Sequence, residues 1–281
     1  MFGLFKKKEK DAPAPKKVDA EGEEFRAFAA GFEPEDRTVL VLTGPQGLIT
    51  GKNEGDLLWT AGAPLVAWLE EDSPEVCREP TSLVSKGDET LMGILRQRIP
   101  RDFILKCKVR PSADGKRLLL LNLPEPSFDL DLKAILDESK KPVTLDGGAL
   151  GEFTLNRSVG VFQKEADWLG QSVQLTFDRD EDQQVCLNGL QAMVSGQAEW
   201  DGKLREFAAA ELLDLANDWA ADADEEEVSL EDFMQRIEPD TLAFQENGTF
   251  DFWFNDGELF FGRAIRVSGT LEGPTSAEME G

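Results

Sequence analysis

The residues that could carry out chemistry in this chain are few, because its 281 residues include no histidine and no tyrosine. Histidine is the side chain that titrates near neutral pH, and it is the commonest metal ligand. Among the cysteines, Cys107 has the basic neighbours Lys106 and Lys108, and such neighbours lower the pKa of a thiol. In a strand, however, both lysines would point to the face opposite Cys107. The sequence also contains neither G-x-S-x-G nor S-x-x-K, so we expect no catalytic residue.

Two acidic segments could supply oxygen ligands for a metal ion. The alternating acids of residues 178–182 match the first ligands of an EF-hand calcium loop. Gln183 would then stand in place of the turn glycine, and Gly189 in place of the closing glutamate. Residues 222–227 hold five acids in six positions, which is typical of a hydrated loop. We therefore expect no metal site and no cofactor.

The cysteine spacing and the hydropathy indicate where the protein works. Cys77, Cys107 and Cys186 lie far apart, so neither a zinc knuckle nor a secreted disulfide framework is indicated. Apolar residues 1–5 precede the lysines of 6–8, which is the reverse of a signal peptide. No segment approaches the roughly 20 apolar residues that a membrane-spanning helix needs. We expect a cytoplasmic protein with reduced thiols and no membrane span.

Acidic residues are concentrated in the second part of the chain. The formal net charge is −25, and residues 126–281 hold 34 acids against 11 bases, whereas residues 37–125 hold 12 of each. Prolines near residues 124–142 indicate the boundary between the two parts. The predicted organisation is a disordered tail over 1–22, a domain over 23–125, a linker over 126–145 and a domain over 146–281. Strong acidity repels nucleic acid and anionic membranes and favours a basic partner.

The charge-balanced first part contains one basic segment. Residues 96–117 hold eight basic residues and only two acids. The candidate binding residues of this segment are Arg96, Arg98, Lys106, Lys108 and Arg110. Such an excess can face water, the acidic second domain or a polyanion, and the sequence leaves these alternatives open.

The first domain has the element order of a small barrel. Alternating apolar positions and turn residues predict three strands, a helix and a hairpin, over residues 37–43, 64–69, 80–85, 88–98, 102–110 and 117–122. This order matches a five-stranded barrel of the OB type. Such barrels often bind single-stranded nucleic acid on exposed aromatic side chains beside a basic groove. Here Trp59, Trp68 and Phe103 lie among apolar residues, where a core role is typical.

The second domain has the pattern of an antiparallel sheet with packed helices. Strands are predicted over residues 151–157, 159–162, 171–177, 241–245, 249–254 and 258–267. Helices are predicted over residues 182–221, as a pair that meets at 200–202, and over 229–237. The predicted fold class is therefore α+β, with an N-terminal OB-like β-barrel followed by an α+β domain.

Arg263 is the exceptional residue of the last predicted strand. It would share a face with Leu259, Phe261 and Ile265, which are all apolar. An arginine on an apolar face either pairs with a carboxylate or lines a pocket. We expect a structural ion pair, and we keep Arg263 as a candidate binding residue.

Three segments of the second domain resemble a known family. They are LGEFTLNRS at residues 150–158, the run over 208–219 that ends in LANDW, and FNDGELFFG at residues 254–262. They look like an uncharacterised bacterial family with a C-terminal domain of unknown function, DUF2262, and the resemblance covers residues 143–281. The preceding barrel-like region also looks like the segment that often comes before that domain. The resemblance implies a bacterial origin and this domain layout, and it implies no activity.

The chain departs from the family's last motif. That motif is Phe-Trp-Gly-His, whereas this chain has Phe-Phe-Gly-Arg at residues 260–263. If the histidine has a role throughout the family, this chain lacks that role or uses Arg263 instead.

These observations predict an uncharacterised bacterial protein that acts as a non-catalytic protein-binding module. Its partner would be a basic protein, and its role immunity-like or regulatory. The main alternative is nucleic-acid binding through the basic segment over 96–117, and the third is an enzyme that works without histidine. The sequence leaves the oligomeric state open.

Overall fold

The computed structural model describes residues 19–223 and 226–281. The chain divides into two compact units, with the division between Lys140 and Lys141. Most of the tail predicted over residues 1–22 lies outside the described residues, but residues 20–22 already belong to a helix. In the part of the chain that is described, no helix is both long and apolar enough to cross a membrane.

The first unit consists of a barrel and three helices. Its strands are β1 (Arg37–Thr43), β2 (Ile49–Gly51), β3 (Trp59–Glu70), β4 (Thr81–Gly87), β5 (Ile104–Pro111), β6 (Arg117–Leu120) and β7 (Glu125–Pro126). Its helices are α1 (Ala20–Ala29), α2 (Glu89–Arg98) and α3 (Leu130–Ser139). Each strand predicted for this unit is present. The short strands β2 and β7 were not predicted, because two or three residues are too few to show an alternating pattern.

Five strands close the barrel in the order β1-β3-β4-β6-β5, and β5 pairs back to β1. Neighbouring strands are antiparallel except β4 and β6, which are parallel. The connection between the two parallel strands contains α2 and β5. This topology confirms the predicted OB-like barrel.

The barrel interior is filled by alternate side chains of its strands and by one face of α2. Val39 of β1 is fully buried, and it packs in one cluster with Met92 and Leu95 of α2. The helix begins at Asp88, whose carboxylate accepts a hydrogen bond of 2.8 Å from the backbone N–H of Leu91. This N-cap satisfies a helix-end donor that would otherwise lack a partner.

Helix α1 is attached to the barrel by a charged and an aromatic contact. Glu24 accepts a hydrogen bond of 2.9 Å from the N–H of Leu57, and its other oxygen lies 2.7 Å from Nζ of Lys86. The Lys86 hydrogen bond lowers the pKa of Glu24, and in turn Glu24 raises the pKa of Lys86. The ammonium group also lies 5.8 Å from the centroid of the Phe28 ring. These contacts orient α1 on β4.

Helix α3 occupies the segment predicted as a linker over residues 126–145. Its apolar residues Leu132 and Leu136 are buried against Leu42 and Leu69 of the barrel. The N-cap Asp129 accepts from the N–H of Leu132 at 2.9 Å. The segment up to Lys140 is therefore a packed part of the first unit.

The second unit is one large sheet with helices against it. Its strands are β8 (Thr144–Asp146), β9 (Glu152–Asn156), β10 (Val161–Trp168), β11 (Gln171–Asp178), β12 (Glu238–Phe244), β13 (Thr249–Asn255), β14 (Ala264–Thr270) and β15 (Gly273–Glu280). Its helices are α4 (Gln183–Ser195), α5 (Gln197–Asp222) and α6 (Leu230–Arg236).

The eight strands lie in the sheet in their sequence order. All neighbouring pairs are antiparallel except β11 and β12, which are parallel. A parallel pair requires a long crossover, and α4, α5 and α6 supply it. The predicted α+β class is confirmed, with this one parallel pair as an addition.

The core of the second unit is rich in phenylalanine. Phe250, Phe252 and Phe254 alternate along β13 and are fully buried under the helices. Small residues let the helices approach the sheet, and Gly189 of α4 is the tightest case. A Cβ atom on Gly189 would lie 2.2 Å from the ring of Phe244, so no other residue fits there without displacement.

The break between the two long helices differs from the prediction. It lies at Gly196, not at residues 200–202, and Gly202 lies inside α5. A glycine inside a helix costs only about 1 kcal/mol relative to alanine, so α5 continues through it where the flanking residues pack well. Leu204, two residues later, is fully buried.

The strand predicted over residues 258–267 is wrong in its first half, because β14 begins only at Ala264. The preceding segment is a turn around Asp256, which is 3% exposed. Its carboxylate accepts hydrogen bonds from the N–H groups of Glu258, Phe260 and Gly262, at 3.2, 2.7 and 3.0 Å. One buried carboxylate that binds three alternate amides of the turn competes successfully with strand pairing. The final strand β15 was not predicted.

Candidate binding groove

One recess of the second unit lies between the β10–β11 hairpin, α5 and α6. Its volume is about 620 Å³. The hairpin contributes Trp168, Leu169 and Gln171, and the helices contribute charged and apolar side chains. The volume and the mixture of apolar walls with a few polar groups are typical of a binding site.

A charged pair from α5 lines this recess. Arg205 donates through Nε to Asp201 at 2.7 Å, and both side chains are about 15% exposed. The other carboxylate oxygen of Asp201 accepts from the indole N–H of Trp168 at 3.0 Å. The two charged residues are four positions apart, so they lie on the same face of the helix.

Arg205 also fixes the end of α6. Its Nη1 donates to the backbone carbonyls of Met234 and Ile237, at 2.7 and 2.5 Å. These carbonyls belong to the last turn of the helix, where acceptors lack partners within the helix. The guanidinium group lies 5.5 Å from the centroid of the Phe254 ring. Within the described residues, Nη2 has no hydrogen-bond acceptor, so it remains available to a ligand in the recess.

The rim carries two exposed leucines on different elements. Leu169 and Leu230 are each 51% exposed. Leu169 and Gly170 form the two-residue loop of the hairpin, with φ angles of 54° and 86°. Asparagine or glycine usually occupies the first position of such a loop, because a left-handed conformation costs other residues about 1–2 kcal/mol. Leu169 is therefore a strained residue with an exposed side chain.

A second, acidic recess is lined by residues 226–228 and by Asp232, Gln235 and Arg236. Its volume is about 240 Å³, and Gln235 lines both recesses. We call the two recesses together the α6 groove. Its four carboxylates without a basic partner among the described residues are Glu226, Glu227, Glu231 and Asp232.

The two arginines of the α6 groove are already engaged. Arg236 donates through Nε and Nη2 to the carbonyl of Gly257, at 2.9 and 2.7 Å. Arg205 is balanced by Asp201. The groove is therefore negative overall, in a unit that is itself strongly acidic.

Local sequence positions α6 in this place. Ser229 is the N-cap, and its hydroxyl accepts from the N–H of Asp232 at 3.1 Å. The side chain of Asn217 on α5 holds the segment before the cap, accepting from the N–H of Val228 at 2.7 Å and donating to its carbonyl at 3.2 Å. An amide that satisfies both groups of one residue fixes its backbone.

The predicted candidates of the basic segment all belong to the first unit, whereas the α6 groove belongs to the second. Lys106 lies 2.5 Å from Glu71, and Lys108 and Arg110 lie 2.9 and 2.7 Å from Asp36. The hydrogen bonds from Lys108 and Arg110 lower the pKa of Asp36. Two acidic residues that are distant in sequence, Asp36 and Glu71, thus neutralise part of the excess positive charge on β5.

The remaining candidates lie at the end of α2. Arg96 and Arg98 are exposed, and Nη2 of Arg96 donates to Oγ1 of Thr50 at 2.6 Å. A recess of about 440 Å³ covers the neighbouring face of β2, β3 and β4, and its lining residues include no aromatic side chain. Trp59 and Trp68 pack against the barrel core instead. Their predicted core role agrees with this placement, whereas the same prediction is wrong for Phe103, which is 39% exposed.

Among the residues that the structure describes, Arg263 has no partner for the ion pair that we expected. Its guanidinium lies 5.0 Å from the centroid of the Trp219 ring, on which Phe261 also stacks at 5.6 Å. Within the described residues its hydrogen-bond partner is the sulfur of Met279, at 3.9 Å. The prediction was wrong because residues 258–263 form a turn and not a strand, so Arg263 does not lie on the apolar face.

The two buried cysteines are not activated nucleophiles. Burial raises the pKa of the Cys107 thiol to about 12. Burial and the nearby Glu181 raise the pKa of Cys186 to about 12. A nucleophilic cysteine needs the opposite shift, because the thiolate is the reactive form.

The acidic segment over residues 222–227 lies partly outside the described residues. Within the described residues no group of three or more acidic or cysteine side chains is arranged to hold a metal ion.

Comparisons with known families agree with the two-unit architecture. Residues 148–279 match a family model described as "Uncharacterized protein conserved in bacteria (DUF2262)". The predicted resemblance is confirmed. Residues 24–139 match a second model, described as "Domain of unknown function (DUF7021)". A search of curated proteins finds no match. The whole α6 groove lies within the DUF2262 span, and neither family description assigns a function.

Sequence patterns alone did not reveal the α6 groove. The spacing of Asp201 and Arg205 was a visible signal, but it indicates only an ion pair between neighbouring turns of one helix. The Leu-Gly dipeptide at residues 169–170 was a second signal, because leucine is unusual in a two-residue hairpin loop. What links these residues to α6 is tertiary contact.

Proposed function

We propose that this protein is a non-catalytic binding module that takes a segment of a basic protein in the α6 groove. The proposed consequence is an immunity-like or regulatory one, in which the basic partner is neutralised or held. Residues 126–281 carry 34 acids against 11 bases, which would attract a basic partner over a distance before specific contact forms.

The observation that carries this proposal is the combination of charge and shape in one place. Glu227, Glu231 and Asp232 line the groove, while the exposed leucines 169 and 230 provide apolar surface beside them. The acidic side chains of the groove suit lysine and arginine side chains of a partner. The apolar surface suits an apolar side chain of the partner, which is removed from water on binding.

Nucleic-acid binding by the first unit is the second candidate. The OB-like topology and the exposed Arg96 and Arg98 favour it. The pairing of Lys106, Lys108 and Arg110 with acids argues against it, and so does the lack of aromatic side chains around the recess on β2, β3 and β4. We therefore place protein binding first.

A peptide selection tests the proposed function. A random peptide library is selected against the full-length protein, and recovered peptides are measured by fluorescence anisotropy at low and moderate salt. We expect sequences enriched in lysine and arginine, with affinity that falls as salt rises.

A matched pair of double variants places the binding on the α6 groove. Glu227→Lys with Glu231→Lys changes two carboxylates of the groove, and Glu211→Lys with Asp214→Lys makes the same charge change on the exposed face of α5. The groove variant should lose the selected peptides, while the α5 variant should keep most of the affinity. Equal losses would show that the general acidity binds the peptides. A library without basic enrichment would overturn the proposed function.

A further inference from the structure

We propose that the first recess of the α6 groove selects its partner by one large apolar side chain, whose own backbone carbonyl accepts a hydrogen bond from Nη2 of Arg205. This inference rests on the proposed function, because it specifies which feature of the basic segment is recognised. It concerns the recess of about 620 Å³ between the hairpin and α6.

The walls of the recess suit an apolar anchor. Leu169 on the hairpin and Leu230 at the start of α6 both leave half of their surface exposed, and Met234 lies one turn further along α6. Leucines from two different elements would therefore both be covered by one inserted side chain. Binding energy at protein interfaces is concentrated in such anchors, which fill pockets and exclude water.

The guanidinium group of Arg205, which lines the recess, suits a neutral hydrogen-bond acceptor. Arg205 already faces one carboxylate, Asp201, and a second carboxylate, Glu231, lines the same recess. A negatively charged ligand group would meet Glu231 without a free positive charge to offset it. A peptide carbonyl can accept a hydrogen bond from one N–H of Nη2 without that repulsion. The geometry therefore favours the middle of a chain over a C-terminal carboxylate.

The conformation of Leu169 supports a role in binding over one in folding. Its φ of 54° lies in the left-handed region, where asparagine is tolerated far better than leucine. Selection for stability alone would favour asparagine in this loop. Leucine remains there at a cost to the hairpin, and its side chain is directed to the recess that it lines.

The decisive variant is Leu169→Asn, which should relax the hairpin while it removes the apolar wall. Leu271→Asn is the matched control, since Leu271 is an exposed leucine of the same unit that does not line the recess. Two peptides are compared by anisotropy, a lysine–serine peptide with one central leucine and the same peptide with alanine in its place. Thermal unfolding of each variant is recorded alongside.

We expect wild type to bind the leucine peptide about tenfold or more tighter than the alanine peptide. Leu169→Asn should abolish this difference while its melting temperature stays equal to or above that of wild type, and Leu271→Asn should preserve the difference. An alkene in place of the carbonyl of the central leucine should weaken binding to wild type, and unchanged binding would overturn the assigned contact with Arg205.

The outcomes separate this inference from the proposed function. Equal binding of the two peptides to wild type would overturn the apolar anchor and leave the proposed function standing. Binding of neither peptide, together with a library selection that yields no basic sequence, would overturn the proposed function and this inference with it. A difference that persists in Leu169→Asn would overturn the assignment of the anchor to this recess.

Discussion

Replacement of Asp201 by alanine should strongly destabilise the second unit, although Asp201 lines a recess at the surface. Asp201 accepts two hydrogen bonds, from Nε of Arg205 at 2.7 Å and from the indole of Trp168 at 3.0 Å. Asp201→Ala leaves both donors without their acceptor. Because the carboxylate is only 14% exposed, solvent screens these contacts little in the wild type.

The expected loss is about 3–4 kcal/mol in the free energy of unfolding. A hydrogen bond to a charged group contributes about 1.5–3 kcal/mol, and both bonds that the substitution removes end on the charged carboxylate. Arg205 keeps its bonds to the carbonyls of Met234 and Ile237, and groove water can reach the freed Nε. These two compensations place the loss in the lower part of the summed range.

Urea unfolding of the full-length protein, followed by tryptophan fluorescence, measures this loss. With a slope of about 1–3 kcal/mol per molar urea, the midpoint should fall by about 1 M or more. Glu199→Ala is the matched control, because Glu199 forms an i,i+4 pair with Lys203 on the same helix but in solvent. Its midpoint should stay close to that of wild type. If Asp201→Ala shifts the midpoint no more than Glu199→Ala does, the hydrogen bonds of Asp201 do not stabilise the fold as argued.

Three further predictions concern packing, pH and thiol reactivity. Gly189→Ala should destabilise the second unit by about 1–3 kcal/mol, because the new Cβ atom would collide with Phe244. Gly202→Ala meets open space and should stabilise the unit by up to about 1 kcal/mol. Urea unfolding measures both changes in stability, and changes of the same sign would contradict this reasoning. The pKa of Glu24 is lowered, so its contribution to α1 docking is present above pH 4.5 and is lost as the pH falls through its pKa in the folded protein. The pKa of Lys86 is raised, so its contribution is present below pH 10.5 and is lost as the pH rises through its pKa in the folded protein. The difference in melting temperature between wild type and Lys86→Gln should therefore shrink below pH 4.5, and a constant difference would contradict the assigned pair. Under native conditions a thiol reagent at pH 8 should modify Cys77 well before the buried Cys107 and Cys186, whose pKa values are raised to about 12, and equal rates would refute their burial.

The barrel was predictable because its signals are local. Residues 37–43 contain a continuous apolar run at 39–42, and β1 has the bounds predicted from it. The Asp-Gly dipeptide at residues 114–115 predicted the turn between β5 and β6, where Gly115 has a φ of 69°. The order of strands and helix along the chain then leaves few ways to bury every apolar face, and the OB-like topology is one of them.

The errors in the second unit arose where a buried polar group overrides the local pattern. The apolar residues between 258 and 263 looked like a strand, but the carboxylate of Asp256 binds three amides of this segment and holds it as a turn. The sequence shows that Asp256 and Gly257 form a turn, yet not that Asp256 is buried. Arg263 was misplaced for the same reason.

Composition and local pattern by themselves determined the α+β class, the concentration of acid after residue 125 and the absence of histidine chemistry. Only the tertiary structure decided where the charges act. It brings Asp36 and Glu71 to the basic residues of β5, and it places α6 beside the β10–β11 hairpin, from which it is separated by more than fifty residues of chain. Side-chain periodicity reports which face of an element is buried, but the partner that covers or faces it depends on long-range packing that no local pattern encodes.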